Sequence, residues 1–381
     1  MNALVLFGIA HGLLWKVLST LSKIVFLIIV VPRLPSGVFA EYIYSISITM
    51  IMAMVLSAGT SEHLPTLIKG KRDAMDRYSP FYIVSVTLGW FFLFAYILTR
   101  QYFFLLAALA FTHATYLIIA GLLRSIDPKY YEWLNNFPTI LFTIICIAVT
   151  ISGFEHLILI FILTNMTINM AIAFHGEVSI SVNYDRLRSA FEGSVGLAMK
   201  GITKTISNML LIADFRALII FPKFLLKHNP SDALAIAITA GEALWQLAMV
   251  IVNRNYVHYC KGEGTLRSSM RSGGILMLGM VFASVIFIYF GIPITIEKFD
   301  WHLVGWATVF FGSMIVFMEF RYFFWSRHVA EIWIFATQIL IILVQIIVMF
   351  VLDEAMWLPA TAMILMGVTI IFLIIGLVWK R

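Results

Sequence analysis

The sequence predicts an all-α polytopic membrane protein, with about 12 transmembrane helices arranged as two six-helix halves. Three observations carry this. The chain of 381 residues is 61% hydrophobic and 12% charged, against roughly 25% charged in soluble domains, which excludes a water-soluble fold. Apolar runs of about 20 residues, each able to cross about 30 Å of hydrocarbon as a helix, recur along its whole length. The runs lack the alternation of barrel strands, and lipid gives the backbone no hydrogen-bond partners, so helices are the expected spanning element.

Taken in order, the first helix is expected over 7–31 and ends at Pro32-Arg33. It contains Lys16 and Lys23 and lacks a small-residue cleavage site, so it reads as a retained first helix. The second, 41–63, follows the turn at Pro35-Ser36 and leads into a basic segment from Lys69 to Arg77. Helices over 80–98 and 102–123 flank Arg100, and Arg124 and Lys129 precede those over 136–153 and 157–174. Helix seven, 193–220, stops near Pro222; helix eight, 232–253, follows Pro230-Ser231 and opens onto a second basic segment, Arg254 to Arg271. The last four are expected over 273–294, 303–324, 332–351 and 356–378. Of the two cysteines, Cys146 lies in an apolar run and Cys260 in a polar loop, neither in a metal-ligand or redox spacing.

Lysine and arginine sort unequally between the alternating loops. One set, with the C-terminus, holds Lys69, Lys71, Arg72, Arg77, Arg124, Lys129, Arg186, Arg188, Arg254, Lys261, Arg267, Arg271, Arg321, Arg327, Lys380 and Arg381; the other holds only Arg33, Arg100, Lys223, Lys227 and Lys298. This bias places both termini in the cytoplasm. The net charge of +6 then needs no nucleic-acid partner.

An internal repeat supports two halves, 1–188 and 189–381. Gly12-Leu13-Leu14-Trp15-Lys16 matches Gly196-Leu197-Ala198-Met199-Lys200, Val31-Pro32-Arg33 matches Phe221-Pro222-Lys223, and Pro35-Ser36 with Ala40 matches Pro230-Ser231 with Ala235. Six helices per half keep the halves in one orientation, related by an axis along the membrane normal.

Five cations, Lys16, Lys23, Lys200, Lys204 and Arg216, fall inside the expected spans, where each costs about 2.5 to 3.5 kcal/mol on insertion scales. Lys16 and Lys23 are two turns apart and share a face of helix one, and Lys200 and Lys204 are one turn apart on helix seven. If these faces line a common central cavity, its field attracts a pyrophosphate or acidic sugar. The bland reading is that Lys200 snorkels to the headgroups and that Arg216 anchors the outer end of helix seven. The acids in the spans are Asp214, Glu242 and Glu319, with Glu41 and Glu62 at the ends of helix two. Glu242 either pairs with Lys204 or, like Asp214, titrates as a coupling group for protons or sodium ions. Glu319 is expected to snorkel at the cytoplasmic end of helix ten. Asn165, Asn169, Gln338 and Gln345 are expected to make interhelical hydrogen bonds.

The polar opening of helix one with Lys16 and Lys23, the turn Arg33-Leu34-Pro35-Ser36-Gly37-Val38-Phe39-Ala40, the Leu56-Ser57-Ala58-Gly59-Thr60 end of helix two, and a helix seven carrying Asp214 and Arg216 together resemble the Wzx-type O-antigen flippases. These form the polysaccharide branch of the multidrug, oligosaccharidyl-lipid and polysaccharide (MOP) exporter superfamily. The resemblance implies two V-shaped bundles in the bacterial inner membrane and alternating access. The implied cargo is a polyprenyl-pyrophosphate-linked oligosaccharide, with membrane lipids and other polysaccharide-assembly proteins as surroundings and no cofactor. The proposed cargo ligands are Lys16, Lys23, Lys200, Lys204 and Arg216. Two alternatives stand beside it. One is a membrane-embedded glycan enzyme, an O-antigen polymerase or acyltransferase, which would need a large outer loop or a His-centred constellation; the histidines are scattered, and Glu62-His63 reads as interfacial, so no catalytic residue is expected. The other is a multidrug exporter of the same superfamily, which would differ in the charge of its cavity.

Overall fold

The computed structural model describes residues 3–57, 71–126, 128–175, 205–260, 262, 264–290, 298–326 and 331–378. Twelve helices stand among the described residues, with no strand. They are α1 (Ala3–Val25), α2 (Val38–Leu56), α3 (Lys71–Thr99), α4 (Tyr102–Ile126), α5 (Pro128–Ala148), α6 (Phe154–His175), α7 (205–221), α8 (Asp232–Cys260), α9 (Leu266–Val285), α10 (Trp301–Ser326), α11 (Glu331–Val351) and α12 (Glu354–Val378). Among the described residues ten are long and apolar enough to cross a membrane. In α5 the apolar stretch, Trp133–Ala148, is shorter because the first turns of the helix are polar.

Three helices finish in wider π-helical turns. α1 continues through Phe26–Val30 and a 3-10 turn at Val31–Arg33, α7 through Pro222–Leu226, and α9 through Ile286–Phe290. A proline stands at the end of α1 and of α7, at positions matched in the sequence repeat. Its missing N–H and fixed φ disfavour a regular continuation.

The chain divides into two compact units. The first is Met1–Ser22 with Glu41–Ala213, the second Lys23–Ala40 with Asp214–Arg381. α1 and α7 therefore each pass from one unit to the other partway along their length.

In the first unit α4 packs along α3 and against α6, which also contacts α5. Ile118, Ile119, Leu122 and Leu123 of α4, Leu134 of α5 and Ile168 and Ile172 of α6 form one buried cluster. Stacked Trp133 and Phe137, 4.9 Å between centroids, receive the edge of Trp15 from α1.

In the second unit α10 is the central helix, packed against α8, α9 and α12; 83% of its apolar stretch is buried, against 22% for that of α9. Lipid tails are as apolar as leucine, so close approach comes from small residues. A Cβ on Gly241 of α8 would lie 2.8 Å from Phe311 and 2.9 Å from the Ala307 Cβ of α10.

The segment 23–40 is held in this unit by Asp232, the first residue of α8. Its carboxylate accepts the backbone N–H of Gly37 at 2.8 Å and of Ala40 at 2.9 Å. It thereby caps the amino end of α2. Lys298 stands 3.7 Å from the same carboxylate and donates to the Leu34 carbonyl. Gly37 adopts φ +79°, a conformation that a side chain would strain. A parallel arrangement holds the entry to α8, where Glu354 of α12 accepts the Ser231 N–H at 2.7 Å and pairs with His228 at 2.7 Å.

Candidate functional site

Charge gathers around Asp214, Phe215 and Arg216 of α7. Successive helical residues are about 100° apart, so Asp214 and Arg216 project to different sides of the helix with Phe215 between them. Phe215 packs against Trp245 of α8 at 4.7 Å and Phe311 of α10 at 5.5 Å between ring centroids. The close contact of α8 and α10 at Gly241 sets that aromatic wall.

On one side, buried Arg216 donates to Glu242 of α8 in an ion pair whose side chains are 9% and 19% exposed. One turn along α8, the Gln246 amide donates to the other Glu242 oxygen at 3.3 Å, and its own carbonyl oxygen accepts from the Lys23 ammonium of α1 at 2.9 Å. The result is an unbroken polar chain, Lys23, Gln246, Glu242, Arg216, inside apolar spans of three helices. Its formal charges are two cations and one carboxylate.

On the other side, Asp214 is fully buried, and neither carboxylate oxygen accepts a hydrogen bond among the described residues. The buried guanidinium of Arg321 on α10 acts on it electrostatically, and Gln345 of α11 donates to its backbone carbonyl at 2.9 Å. Burying an ionised carboxylate without hydrogen bonds costs several kcal/mol, so this side chain is energetically loaded in a way its neighbours are not.

Three of the residues expected at the site, Lys23, Glu242 and Arg216, are thus joined in one network, and Asp214 stands next to it along α7. Glu242 meets Arg216; the pairing with Lys204 that the sequence offered beside a titrating role falls on a residue outside the described ones. Lys16 is half-buried on the part of α1 that belongs to the first unit. Lys200 and Lys204 lie outside the described residues. Gln246 was missed in the sequence, although its spacing of four from Glu242 would have marked it as a partner on the same face. Gln345 makes the interhelical hydrogen bond expected of it, whereas Asn165 donates within its own helix to the Phe161 carbonyl.

Glu319 requires a correction. Expected to snorkel, it is instead fully buried. Its carboxylate accepts from Asn255 at 2.6 Å and Tyr259 at 2.9 Å on α8 and from Ser269 at 3.2 Å on α9. The cause is steric and chemical: Gly273 of α9 lets the helix lie directly over the Glu319 stem, and α8 and α9 supply donors that replace water.

The fold these helices build is all-helical and like that of MATE-type structures. The chain is similar to a structure described as an outward-facing conformation of a multidrug resistance MATE family transporter of the MOP superfamily. The TM-score is 0.50 at 15% identity, over 98% of this chain and 94% of that one. A MATE structure in complex with Br-NRF aligns over 97% of this chain and 93% of its own at 15% identity, with a TM-score of 0.46. No family model matches the sequence. No curated protein matches it either.

Proposed function

We propose that this protein is a membrane transporter of the MOP superfamily that flips a lipid-linked oligosaccharide carrying an anionic linkage, such as a polyprenyl pyrophosphate. The observation that carries this reading is the polar chain from Lys23 to Arg216. Two cationic groups are kept at bilayer depth, where each is costly, and they are oriented by Gln246 and Glu242 into fixed positions. A phosphate takes up point charges from lysine and paired donors from arginine. The N-terminal lysine Lys16, and Lys200 and Lys204 on the second half, extend the same cationic lining in this proposal. Asp214 and Glu242 serve as the groups coupling transport to protons or sodium ions. The assignment of the halves to 1–188 and 189–381, of the termini to the cytoplasm and of the chain to a bacterial inner membrane belongs to the same proposal.

A second reading, export of cationic drugs, draws on one specific observation: the buried Asp214 carboxylate, whose oxygens are without hydrogen-bond partners among the described residues. A cation would find an acceptor there.

A strain deleted for this gene separates the two. The flippase reading expects lipid-linked oligosaccharide to accumulate in the inner leaflet, with export restored by the wild-type gene and by Lys23→Arg but not by Lys23→Ala. Unchanged glycan export when Lys16, Lys23, Lys200 and Lys204 are all alanine overturns the cationic-site reading. Drug resistance conferred by overexpression, with glycan intermediates unchanged in the deletion, supports the second reading instead.

A further inference from the structure

The geometry points to Glu319 as a proton-binding site, separate from the Lys23 to Arg216 chain, held between α8, α9 and α10 at the end that the arginine and lysine distribution assigns to the cytoplasm.

The carboxylate is fully buried, and it accepts from neutral groups: Asn255 on Oε1, Tyr259 and Ser269 on Oε2. No cation pairs with it among the described residues. On the neighbouring elements, Tyr259 is the titratable group that faces it from α8, and Arg254 and His258 of that helix are exposed. From α9, Ser269 faces it, while Arg267 and Arg271 are exposed. α11 carries Glu331 at its first residue and α12 carries Glu354 at its first residue, with no other charged residue in either helix. Arg321 lies two residues on along α10, where its guanidinium acts on Asp214.

The site contains the means to change protonation state without stranding a hydrogen bond. Ser269 Oγ is 3.2 Å from Glu319 Oε2 and also 3.2 Å from the Glu319 backbone carbonyl. With the carboxylate ionised, the hydroxyl donates to Oε2. When a proton from solvent bonds to Oε2, the Ser269 hydrogen turns to the carbonyl, and the new O–H donates to the Ser269 oxygen lone pair it has freed. Tyr259 and Asn255 keep donating throughout, the latter also to Ser272 at 2.8 Å. The net change is one proton taken up and one hydroxyl rotated. A metal ion fits less well, because it needs oxygen lone pairs where Asn255, Tyr259 and Ser269 present hydrogens. Beside the site Gly264 is seated against the Tyr259 ring, where a Cβ would lie 3.1 Å from it, and Thr265 and Ser268 close a reciprocal cap at the start of α9.

The test is an infrared pH titration of the full-length protein in liposomes, without cargo, so that its outcome does not depend on which molecule is transported. The component of the protonated-carboxyl band that Glu319→Gln removes, read from the difference between the two titrations, should grow with a single midpoint as pH falls. Tyr259→Phe removes one donor to the ionised form and should move that midpoint to more alkaline pH by about one pH unit or more. Ser269→Ala, a small change in a well-packed helix pair, should also displace it. An identical band in Glu319→Gln, or a midpoint unmoved by both Tyr259→Phe and Ser269→Ala in folded protein, overturns the assignment.

Discussion

The ion pair between Arg216 and Glu242 is the contact whose energetics bear most directly on the site. Replacing Arg216 by methionine leaves a carboxylate in a span with its strongest partner gone. At about 4 Å between charge centres and an effective dielectric constant of about 20, the lost attraction is about 4 kcal/mol. With side chains 9% and 19% exposed, solvent screening is small, and removal of one partner from a buried pair typically costs about 3 to 5 kcal/mol. Glu242→Gln should cost a comparable amount through the stranded guanidinium. The double variant should recover most of the loss, since neither charge is then left behind. The pair thus predicts an interaction energy of about 3 kcal/mol, well above the roughly 0.6 kcal/mol average for neutral hydrogen bonds between membrane helices. Reversible unfolding of all four proteins in mixed micelles measures it through a double-mutant cycle. A coupling energy below about 0.5 kcal/mol, the usual limit of additivity for independent sites, would refute the view that these groups form a tight buried pair.

Two further outcomes follow from packing and capping. Asp232→Asn removes the charge and one of the two acceptors that finish α2, at a cost of about 1 to 2 kcal/mol; native-state hydrogen exchange should show the amides of Gly37 and Ala40 losing protection while those at the middle of α10 keep theirs. Gly241→Val drives side-chain atoms into Phe311 and the Ala307 backbone, for which the structure leaves 2.8 to 3.0 Å even at Cβ, and should destabilise the second unit by at least the roughly 1 to 3 kcal/mol of an overpacked core; an unchanged unfolding midpoint in detergent would contradict the α8–α10 contact.

The number and order of helices were legible because the membrane imposes a length and a polarity on each span, and a chain that is 61% hydrophobic repeats that constraint along its length. The functional candidates were legible for a related reason: Lys23, Asp214, Arg216 and Glu242 stand out against an apolar background. Which of them meet was not legible. Lys23 and Gln246 are 223 residues apart, and nothing local distinguishes Arg216 from Lys204 as the partner of Glu242. Glu319 was misread because distance from the helix end suggested access to headgroups, whereas Gly273, a residue without a side chain on another helix, is what lets α9 cover it. The capping of α2 was equally hidden, since Asp232 looks like a residue that caps its own helix.

That borrowed cap has a bearing on how the polypeptide is made. Asp232 lies 195 residues beyond Gly37, so at about 5 to 20 residues per second the ribosome needs roughly 10 to 40 s after emitting the turn before it delivers the carboxylate that completes it. Ser231 waits in the same way for Glu354, 123 residues downstream. During biogenesis the amino ends of two helices are therefore left with open N–H groups until later segments arrive. Truncated nascent chains ending before residue 232 would carry the first such end unfinished, a recognisable target for membrane quality control.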